Sequence, residues 1–384
     1  MEKFNLYVPV NAVGGKDVVR EKGSLMAPLG KKALIVTGRH SAKLSGALDD
    51  VTAALDANGQ SYVIFDEISE NPLVSICARA GAVARSEGCD FIIGIGGGSS
   101  LDGARAASIF AANDYADPMD VYKLEFTKTL PLVTVGTSAG TGSEVDAASV
   151  MTADVTGIKK SVSSPLLFAK IAYCDPKYTQ SMSLRQTVST GLDALCHSIE
   201  CWLSTNATEP SRMFSRRGVE LVYPRLKQIA SGDFDLADEQ LREDLYHGSL
   251  WGGLAITGPG TGFPHAAGYK LTETGALPHG VACAVFEDAF IRHSLPAAMP
   301  EAQKQLLDII DSLDELSAVL SVLCDNDIKI SPETAEEICR RTLASGNARR
   351  TLGGLTEDDI KKYVTPFVNA GQTEPVAGCW KYGR

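Results

Sequence analysis

The chain has 384 residues and a formal net charge of −11 at pH 7, with 44% hydrophobic and 22% charged residues. This composition is typical of a folded globular protein and argues against a disordered one. Because the excess of lysine and arginine that neutralises phosphate is missing, the charge argues against nucleic acid or an anionic membrane as a partner. We therefore expect small molecules and further copies of the chain as partners.

Cysteine usage and hydropathy indicate the compartment. Nine cysteines lie between Cys77 and Cys379 without a CxxC pair, so neither a disulfide framework nor a zinc ribbon is predicted. The N-terminal segment lacks a basic stretch followed by an apolar run, and no uncharged apolar run approaches the ~18 residues of a membrane helix. We expect a protein of the reducing cytoplasm.

The first part of the chain alternates β-rich runs with helical segments long enough for βαβ crossovers. This alternation predicts an α/β domain over residues 1–180 with a doubly wound, mostly parallel sheet. Within it, Asn71 and Pro72 predict the N-cap and first residue of a helix, and residues 147–163 predict a hairpin. The expected strands are 33–36, 62–65, 91–96, 131–136 and 171–174.

Two glycine-rich loops follow strands of this sheet. The strand at 91–96 leads into GGGSS and a helix, a turn in which backbone N–H groups approach a phosphate. Its spacing departs from G-x-G-x-x-G because Ser99 stands at the third position. The second loop is GTSAGTGSE, residues 136–144. Carboxyl ends of parallel strands meet at one edge, so the two loops predict a nucleotide site, with tight turns that bind no ligand as the alternative.

The second loop also matches a serine-hydrolase motif. Residues 136–140, GTSAG, satisfy the G-x-S-x-G nucleophile elbow around Ser138. An elbow requires a helix directly after the serine, whereas a loop and hairpin are predicted here. The sequence therefore favours a nucleotide loop over a hydrolase that uses Ser138.

Strand signals nearly vanish after Pro176, and residues 181–384 predict an all-α domain. Ser183 and Gln186 form a capping-box pattern that opens a long helix ending near Leu203. Further helices are expected at 211–230, 236–256, 264–273, 281–293, 302–324, 332–345 and 356–370.

The first long helix carries Asp193 four residues before His197, so both side chains lie on one face. A partly buried carboxylate needs a partner or a cation, and a structural Asp–His pair is one answer. Two further histidines favour the other answer: His265 falls in the first turn of a helix opened by Pro264, and His279 precedes the next helix. One carboxylate and three imidazoles form a complete ligand set for Fe²⁺ or Zn²⁺ with one position left for a substrate oxygen.

Four segments of the chain together resemble a known family. The segments GGGSSLDGAR, GTSAGTGSEVD, GLDALCHSIE and LPHGVACAV resemble, in order and spacing, the motifs of the iron-containing (group III) alcohol dehydrogenases. The resemblance implies an α/β nucleotide-binding domain, an all-α metal-binding domain, and a homodimer. It places the family's metal ligands on Asp193, His197, His265 and His279, with Fe²⁺ as the expected ion and Zn²⁺ as the alternative.

The resemblance also assigns the nicotinamide cofactor. The family's pyrophosphate-binding positions fall on the first glycine loop and the start of its helix, and hydroxyl donors fall on the second loop. Two further cofactor positions precede a helix and lie in the hairpin. The residues are Gly97, Gly98, Ser99, Asp102, Thr137, Ser138, Thr141, Asn71 and Lys160.

Two departures from the family pattern carry predictions. Gly38 stands where many NAD-dependent members have an aspartate that repels a 2′-phosphate, and the adjacent Arg39 can pair with that phosphate, so NADP(H) is favoured over NAD(H). Tyr269 stands where many members have a histidine near the nicotinamide. Its phenol is a candidate catalytic group for proton relay, and a pocket wall is the alternative.

The expected reaction is reversible hydride transfer between a small alcohol and the nicotinamide, with aldehyde reduction by NADPH as the favoured direction. The same motifs are also compatible with a dehydroquinate synthase-like lyase of related fold and with a non-catalytic metal-binding scaffold.

Overall fold

The computed structural model of the protein describes residues 3–275, 277–369, 371 and 380–382. Two compact units are present. One is Tyr7–Ser181, and the other combines the described residues of Met182–Arg384 with those of Met1–Leu6.

The first unit is built on a parallel sheet of six strands in the order β1-β8-β5-β4-β2-β3, and a separate pair is formed by β6 and β7. All five predicted strands of the sheet are confirmed. The sequence missed β1, a short and mostly exposed edge strand with little apolar pattern. The strands are β1 Asn11–Gly14, β2 Lys32–Thr37, β3 Ser61–Phe65, β4 Phe91–Gly96, β5 Leu132–Gly136, β6 Ala148–Thr152, β7 Lys159–Ser163 and β8 Ile171–Cys174.

Helices cover both faces of this sheet. Successive residues of a strand point to opposite faces, and β2 illustrates this: Leu34 and Val36 belong to one apolar cluster, whereas Ala33 and Ile35 belong to another. The doubly wound arrangement is therefore confirmed. The helices of this unit are α1 Val18–Lys22, α2 Ser41–Leu44, α3 Ala47–Ala57, α4 Val74–Ser86 and α5 Gly98–Ala112.

The predicted hairpin is confirmed as the antiparallel pair β6–β7, with Gly157 in the left-handed region at φ 67° in its turn. Residues 137–147, which follow β5, contain no helix. The strand–turn–helix geometry that a nucleophile elbow requires is therefore absent from these residues, and the hypothesis of a hydrolase that uses Ser138 is wrong.

The predicted N-cap at Asn71 is also wrong. Helix α4 begins at Val74 with Leu73 as its N-cap. Asn71 instead adopts a left-handed backbone at φ 56°, and its N–H donates to Ser99 Oγ at 3.2 Å. Asparagine tolerates this backbone conformation. Asn71 therefore contacts the first turn of α5 instead of capping α4.

The second unit is helical. Its first helix opens with the predicted capping box, in which the Ser183 and Gln186 side chains and backbone N–H groups pair reciprocally. The helices are α6 Leu184–Trp202, α7 Glu209–Ser231, α8 Glu239–Ile256, α9 Phe263–Glu273, α10 His279–Ala284, α11 Glu287–Ser294, α12 Pro300–Ile310, α13 Leu313–Leu323, α14 Pro332–Ala344, α15 Gly346–Arg350 and α16 Glu357–Val364.

Two of the predicted helices are each divided in two. The helix expected at 302–324 breaks at Asp311, where φ is 64°, and the Ser312 side chain then caps α13 by accepting from the Glu315 N–H. The helix expected at 281–293 ends as α10 and restarts as α11. Helical periodicity continued across both breaks and therefore did not reveal them.

No helix among the described residues has the length and apolar character needed to cross a bilayer.

Candidate metal centre and cofactor loops

Helix α6 supplies the centre of the candidate metal site. Asp193 and His197 lie one turn apart on this helix and are 4% and 7% exposed. The capping box fixes the start of α6, and the apolar residues around Asp193 bury its carboxylate within the helical unit.

The structure brings the four predicted ligands together around one oxygen atom. Asp193 Oδ1 lies 3.5 Å from His265 Nε2 and 3.8 Å from the Nε2 atoms of His197 and His279. The ligands of a tetrahedral Zn²⁺ with bonds of about 2.1 Å are separated by about 3.4 Å. Each of these three distances is therefore close to the separation of two ligands on one small divalent cation.

Two of the polar atoms at this point have no hydrogen-bond partner in the part of the chain that the structure describes. Asp193 Oδ1 and His265 Nε2 are buried and form no hydrogen bond with the described residues. Burial raises the pKa of Asp193, but the three neighbouring imidazoles outweigh it and hold that pKa well below its usual range. An ionised carboxylate facing imidazole nitrogens without hydrogen bonds suits a cation.

Glu200 orients His265. The Nδ1–H of His265 donates to Glu200 Oε1 at 2.6 Å, and the Gly262 N–H donates to Glu200 Oε2 at 2.6 Å. This pairing directs Nε2 towards Asp193. Burial lowers the pKa of His265, but Glu200 and Asp193 outweigh it and raise that pKa to about 10. Glu200 was not predicted from the sequence, although its position seven residues after Asp193 puts it on the same side of α6.

A glycine allows His279 to reach the centre. His279 is the first residue of α10, and a Cβ added to Gly280 would overlap the carbonyl oxygen of Ser189 on α6. Only glycine permits this close approach of the two helices. His279 Nδ1 lies 3.3 Å from the Thr272 hydroxyl, which itself donates to the Gly268 carbonyl at 3.0 Å. The His279 Nδ1–H is therefore the donor of this pair, and Nε2 keeps its lone pair for a cation.

Tyr269 borders the same centre. It lies one turn after His265 on α9, and its ring stacks on that of His279 with 5.7 Å between centroids and 6° between planes. The Tyr269 side chain is half-buried. Its stacking on His279 places the phenol ring beside a candidate ligand.

Cys283 is a neighbour that was not predicted from the sequence. Its Sγ lies 3.9 Å from His279 Nε2, and the side chain is fully buried. Potential ligand atoms of Cys283, Asp193, His265 and His279 all lie within 4.8 Å of one another. The available signal was its position four residues after His279 on the same short helix.

A second buried group is formed by Cys196, Glu200 and Glu287, all fully buried. Neither carboxyl oxygen of Glu287 has a hydrogen-bond partner among the described residues. Burial, reinforced by the negative charge of Glu200, raises the pKa of Glu287 well above its usual range. Burial therefore favours the neutral form of the Glu287 carboxyl group.

In the α/β unit, the two predicted cofactor loops pack against each other. A Cβ added to Gly97 would lie 3.0 Å from Ser138 Oγ, and one added to Gly98 would lie 2.6 Å from Thr141 Cγ2. The Thr137 N–H donates to the Gly96 carbonyl at 2.9 Å, which continues the β4–β5 pairing into the loops. Gly97 and Gly98 are therefore required, because a side chain at either position would crowd the neighbouring loop.

The first loop leads into the N-terminus of α5, a helix of 15 residues that begins at Gly98. Unpaired N–H groups and the helix dipole favour an anion at such an end. Asn71 joins this region through its bond to Ser99. Gly38 also lies close, since an added Cβ would be 3.7 Å from Ser100 Oγ, and Arg39 beside it is exposed.

Two predicted cofactor residues have other contacts in the structure. Asp102 is buried, forms an ion pair with Arg105 at 3.3 Å and accepts from the Val150 N–H at 3.2 Å. Burial raises the pKa of Asp102 to about 7, although the Arg105 charge opposes this shift. Lys160 lies exposed on β7, with Nζ 5.4 Å from the centre of the Tyr122 ring. Contact of either side chain with a cofactor stays a prediction.

Comparison with known proteins identifies the family. Residues 9–176 match the model of iron-containing alcohol dehydrogenases, and residues 187–367 match the C-terminal model of the same family. The chain belongs to the iron-containing alcohol dehydrogenases. The resemblance of its motifs to that family is thereby confirmed.

Individual alcohol dehydrogenases resemble the chain over most of its length. Long-chain-alcohol dehydrogenase 1 of Geobacillus thermodenitrificans is 33% identical, over 85% of this chain and 79% of the relative. The NAD-dependent methanol dehydrogenase of Bacillus methanolicus is 31% identical, over 72% of each chain. A solved iron-containing alcohol dehydrogenase from Thermotoga maritima is 31% identical with a TM-score of 0.87, covering 95% of this chain and 99% of its own.

Proposed function

We propose that this alcohol dehydrogenase reduces a small aldehyde with NADPH, and oxidises the alcohol in the reverse direction, at a divalent cation held by Asp193, His197, His265 and His279. The observation that carries the proposal is the position of Asp193 Oδ1, within 3.8 Å of three imidazole Nε2 atoms.

When bound, a Fe²⁺ or Zn²⁺ ion supplies Lewis acidity that polarises the oxygen of the substrate. The protein groups prepare the site for it. Glu200 keeps the Nδ1 proton of His265, so Nε2 stays available as a ligand. The same logic applies to His279, because its Nδ1–H faces the Thr272 hydroxyl and its Nε2 can then serve as a ligand.

We propose that the Tyr269 hydroxyl relays a proton to the substrate oxygen during reduction. Its stacking on His279 supports this role, because it keeps the phenol beside the candidate ligands. A Tyr269→Phe variant should lower kcat while leaving the metal content unchanged. Retention of nearly full kcat would assign Tyr269 to the pocket wall.

For the cofactor, we propose that the α5 N-terminus binds the pyrophosphate through Gly97, Gly98 and Ser99. The packing of Ser138 and Thr141 against these glycines supports a shared contribution from both loops. Asn71, Thr137, Asp102 and Lys160 complete the proposed set. The internal contacts of Asp102 favour a supporting role in shaping the first turn of α5.

We further propose a preference for NADP(H). The proximity of Gly38 to the first turn of α5 and the exposure of Arg39 support it. A charge-assisted hydrogen bond contributes about 1.5–3 kcal/mol, so Arg39→Ala should lower kcat/KM for NADPH about tenfold or more. The value for NADH should change little. Lys123→Ala, at an exposed lysine of the same unit, is the control. A higher kcat/KM for NADH than for NADPH in the unaltered enzyme would overturn this preference.

The main test is the metal content of protein purified anaerobically without chelators, combined with an aldehyde panel and NADPH. We expect about one Fe or Zn per chain, as four ligands can hold one ion. A His265→Ala variant should lose both metal and activity. Protein that contains no metal, and takes up neither added Fe²⁺ nor added Zn²⁺, would contradict the proposal.

We also propose that the enzyme acts as a cytoplasmic homodimer. The eight described cysteines are all unbridged, which supports a reducing compartment. Phe4 and Leu6 are 55% and 45% exposed, and such apolar residues support a subunit contact. Light scattering after size exclusion should give twice the mass of the chain.

Both family models that match are those of alcohol dehydrogenases, which argues against the dehydroquinate synthase-like lyase.

A further inference from the structure

Two charged residues of α9 pair with residues of α14. Arg341 donates to both carboxylate oxygens of Glu273, at 2.6 Å to Oε2 and at 2.7 Å to Oε1. Lys270 Nζ lies 2.7 Å from Glu337 Oε2, and Arg341 Nη1 lies 3.6 Å from Glu337 Oε1. These four residues, which we call the α9–α14 network, alternate in charge and join the two helices at two successive turns.

The α9–α14 network differs from an isolated ion pair on the surface. The side chains of Glu273 and Arg341 are only 12% and 19% exposed. An exposed pair contributes little to stability, whereas a bidentate arginine–carboxylate pair fixes the angle as well as the distance between its two groups. The network therefore holds α9 in one rotation about its own axis relative to α14.

The rotation of α9 affects a candidate metal ligand. Tyr269 lies one turn before Glu273, and Thr272 directly precedes Glu273. The Tyr269 ring stacks on that of His279, and the Thr272 hydroxyl lies 3.3 Å from His279 Nδ1. The tip of a side chain lies about 5–6 Å from the helix axis, so a rotation of about 10° moves it by about 1 Å. Such a shift exceeds the ~0.5 Å tolerance of a binding site and would break the contact between Thr272 and His279.

The start of α9 is held by other contacts. Glu200 accepts the Gly262 N–H and the Nδ1–H of His265, both at 2.6 Å. Neither bond involves α14. Loss of the α9–α14 network should therefore displace the groups that support His279 and leave the support of His265 in place.

We propose that Arg341, through its pair with Glu273, is a positioning residue for His279. The pair sets the rotation of α9, and this rotation holds the Tyr269 ring and the Thr272 hydroxyl against the His279 imidazole. The proposal rests on the proposed function only in requiring that His279 binds the metal.

The zinc affinity of the full chain tests the proposal without depending on activity. Arg341→Met keeps the length of the side chain and removes the guanidinium group. We expect its zinc affinity, measured by competition with a chromophoric chelator, to fall about tenfold, the lower end of the loss caused by removing an outer-shell partner. Arg225→Met is the matched control, because Arg225 and Asp244 form a pair of similar burial between α7 and α8, which carry none of the candidate ligands.

Double variants distinguish positioning of His279 from a general loss of structure. Thr272→Val removes a group that acts on His279, so the zinc affinity lost on combining it with Arg341→Met should be smaller than the product of the two single losses. Glu200→Gln acts on His265, and its loss should multiply with that of Arg341→Met. Glu273→Gln should lower zinc affinity as Arg341→Met does, and it provides the test if Arg341→Met does not fold.

The outcomes for this role and for the proposed function differ. Equal zinc affinities for Arg341→Met and Arg225→Met would overturn the positioning role and leave the proposed function intact. Losses that multiply in the double variant with Thr272→Val would do the same. An unaltered chain that binds no metal would overturn both proposals.

Discussion

Glu200 determines which nitrogen of His265 faces Asp193, because its carboxylate accepts the Nδ1 proton at 2.6 Å. Its second oxygen accepts the Gly262 N–H at the start of α9. One side chain therefore fixes both the ring orientation and the tautomer, and its effect on the metal passes through His265.

Replacing Glu200 with glutamine should weaken zinc binding about 10–100-fold. The amide has one oxygen, so it can accept from His265 or from Gly262 but not from both. Competition with a chromophoric chelator measures the affinity. Glu243→Gln, on the half-exposed surface of α8, serves as the control. Equal zinc affinities for the two variants would contradict the orienting role.

Glu287 is expected to make stability depend on pH. Its pKa is raised well above the usual range, so the folded chain keeps a proton that the unfolded chain loses above about pH 4.5. Stability contributed by this group is therefore lost as pH rises. Glu287→Gln lacks that titration. The melting temperature of the variant, relative to that of the unaltered protein, should therefore rise between pH 5 and pH 8. Parallel curves from thermal denaturation would show that Glu287 is ionised in the folded state.

At the scale of elements, the approach of α10 to α6 depends on Gly280. An added methyl group would overlap the Ser189 carbonyl, and backbone cannot move as a flexible side chain can. His279 begins α10, so any displacement of this helix also moves a candidate ligand.

Gly280→Ala should lower the free energy of unfolding by about 1–3 kcal/mol, in the range measured for overpacked interiors. It should also weaken metal binding, because α10 must shift. Urea denaturation and the chelator competition measure the two effects. Gly258→Ala is the matched control, since an added Cβ there meets no atom within 4 Å. A stable Gly280→Ala variant with unchanged affinity would contradict this account.

Local sequence signals predicted the elements that carry the site. The capping box at Ser183, the i, i+4 pair on α6 and Pro264 at the start of α9 are all patterns within a few residues. They predicted the fold class and identified the candidate metal ligands. Periodicity also predicted the buried strands, whose apolar runs are continuous.

The features that could not be predicted from the sequence depend on contacts between distant segments. The role of Glu200 depends on its contact with His265, which lies 65 residues later in the chain. Asn71 is held by Ser99 rather than by its own helix, and Cys283 becomes notable only when α10 packs on α6. A pattern within one segment carries no information on a partner that lies far away in the chain, because the two residues come into contact only when the chain folds.

At the scale of the whole molecule, the candidate metal residues all lie in the helical unit, whereas the glycine loops lie in Tyr7–Ser181. A metal that binds only the folded chain stabilises it by about 4 kcal/mol when its concentration is 1,000 times Kd. Metal binding should therefore act mainly on the unit that supplies the ligands.

Removing the metal with a chelator should lower the melting temperature and reduce amide protection in α6, α9 and α10. Hydrogen exchange followed by mass spectrometry locates the change, because opening is reported segment by segment. Peptides from β2 and β4 provide the internal comparison. A His265→Ala variant should not respond to the chelator. Uniform loss of protection in both units would contradict a stabilisation confined to the helical one.

Helix α6 places Asp193, His197 and Glu200 at offsets of four and three residues. Each residue inserted into an α-helix turns everything beyond it by about 100°. A single insertion or deletion between Asp193 and Glu200 would therefore rotate part of this set away from its partners, whereas the connection from α9 to α10 joins two separate helices. Over evolutionary time, the segment of α6 should keep a fixed length, and length changes should accumulate in the connections between helices.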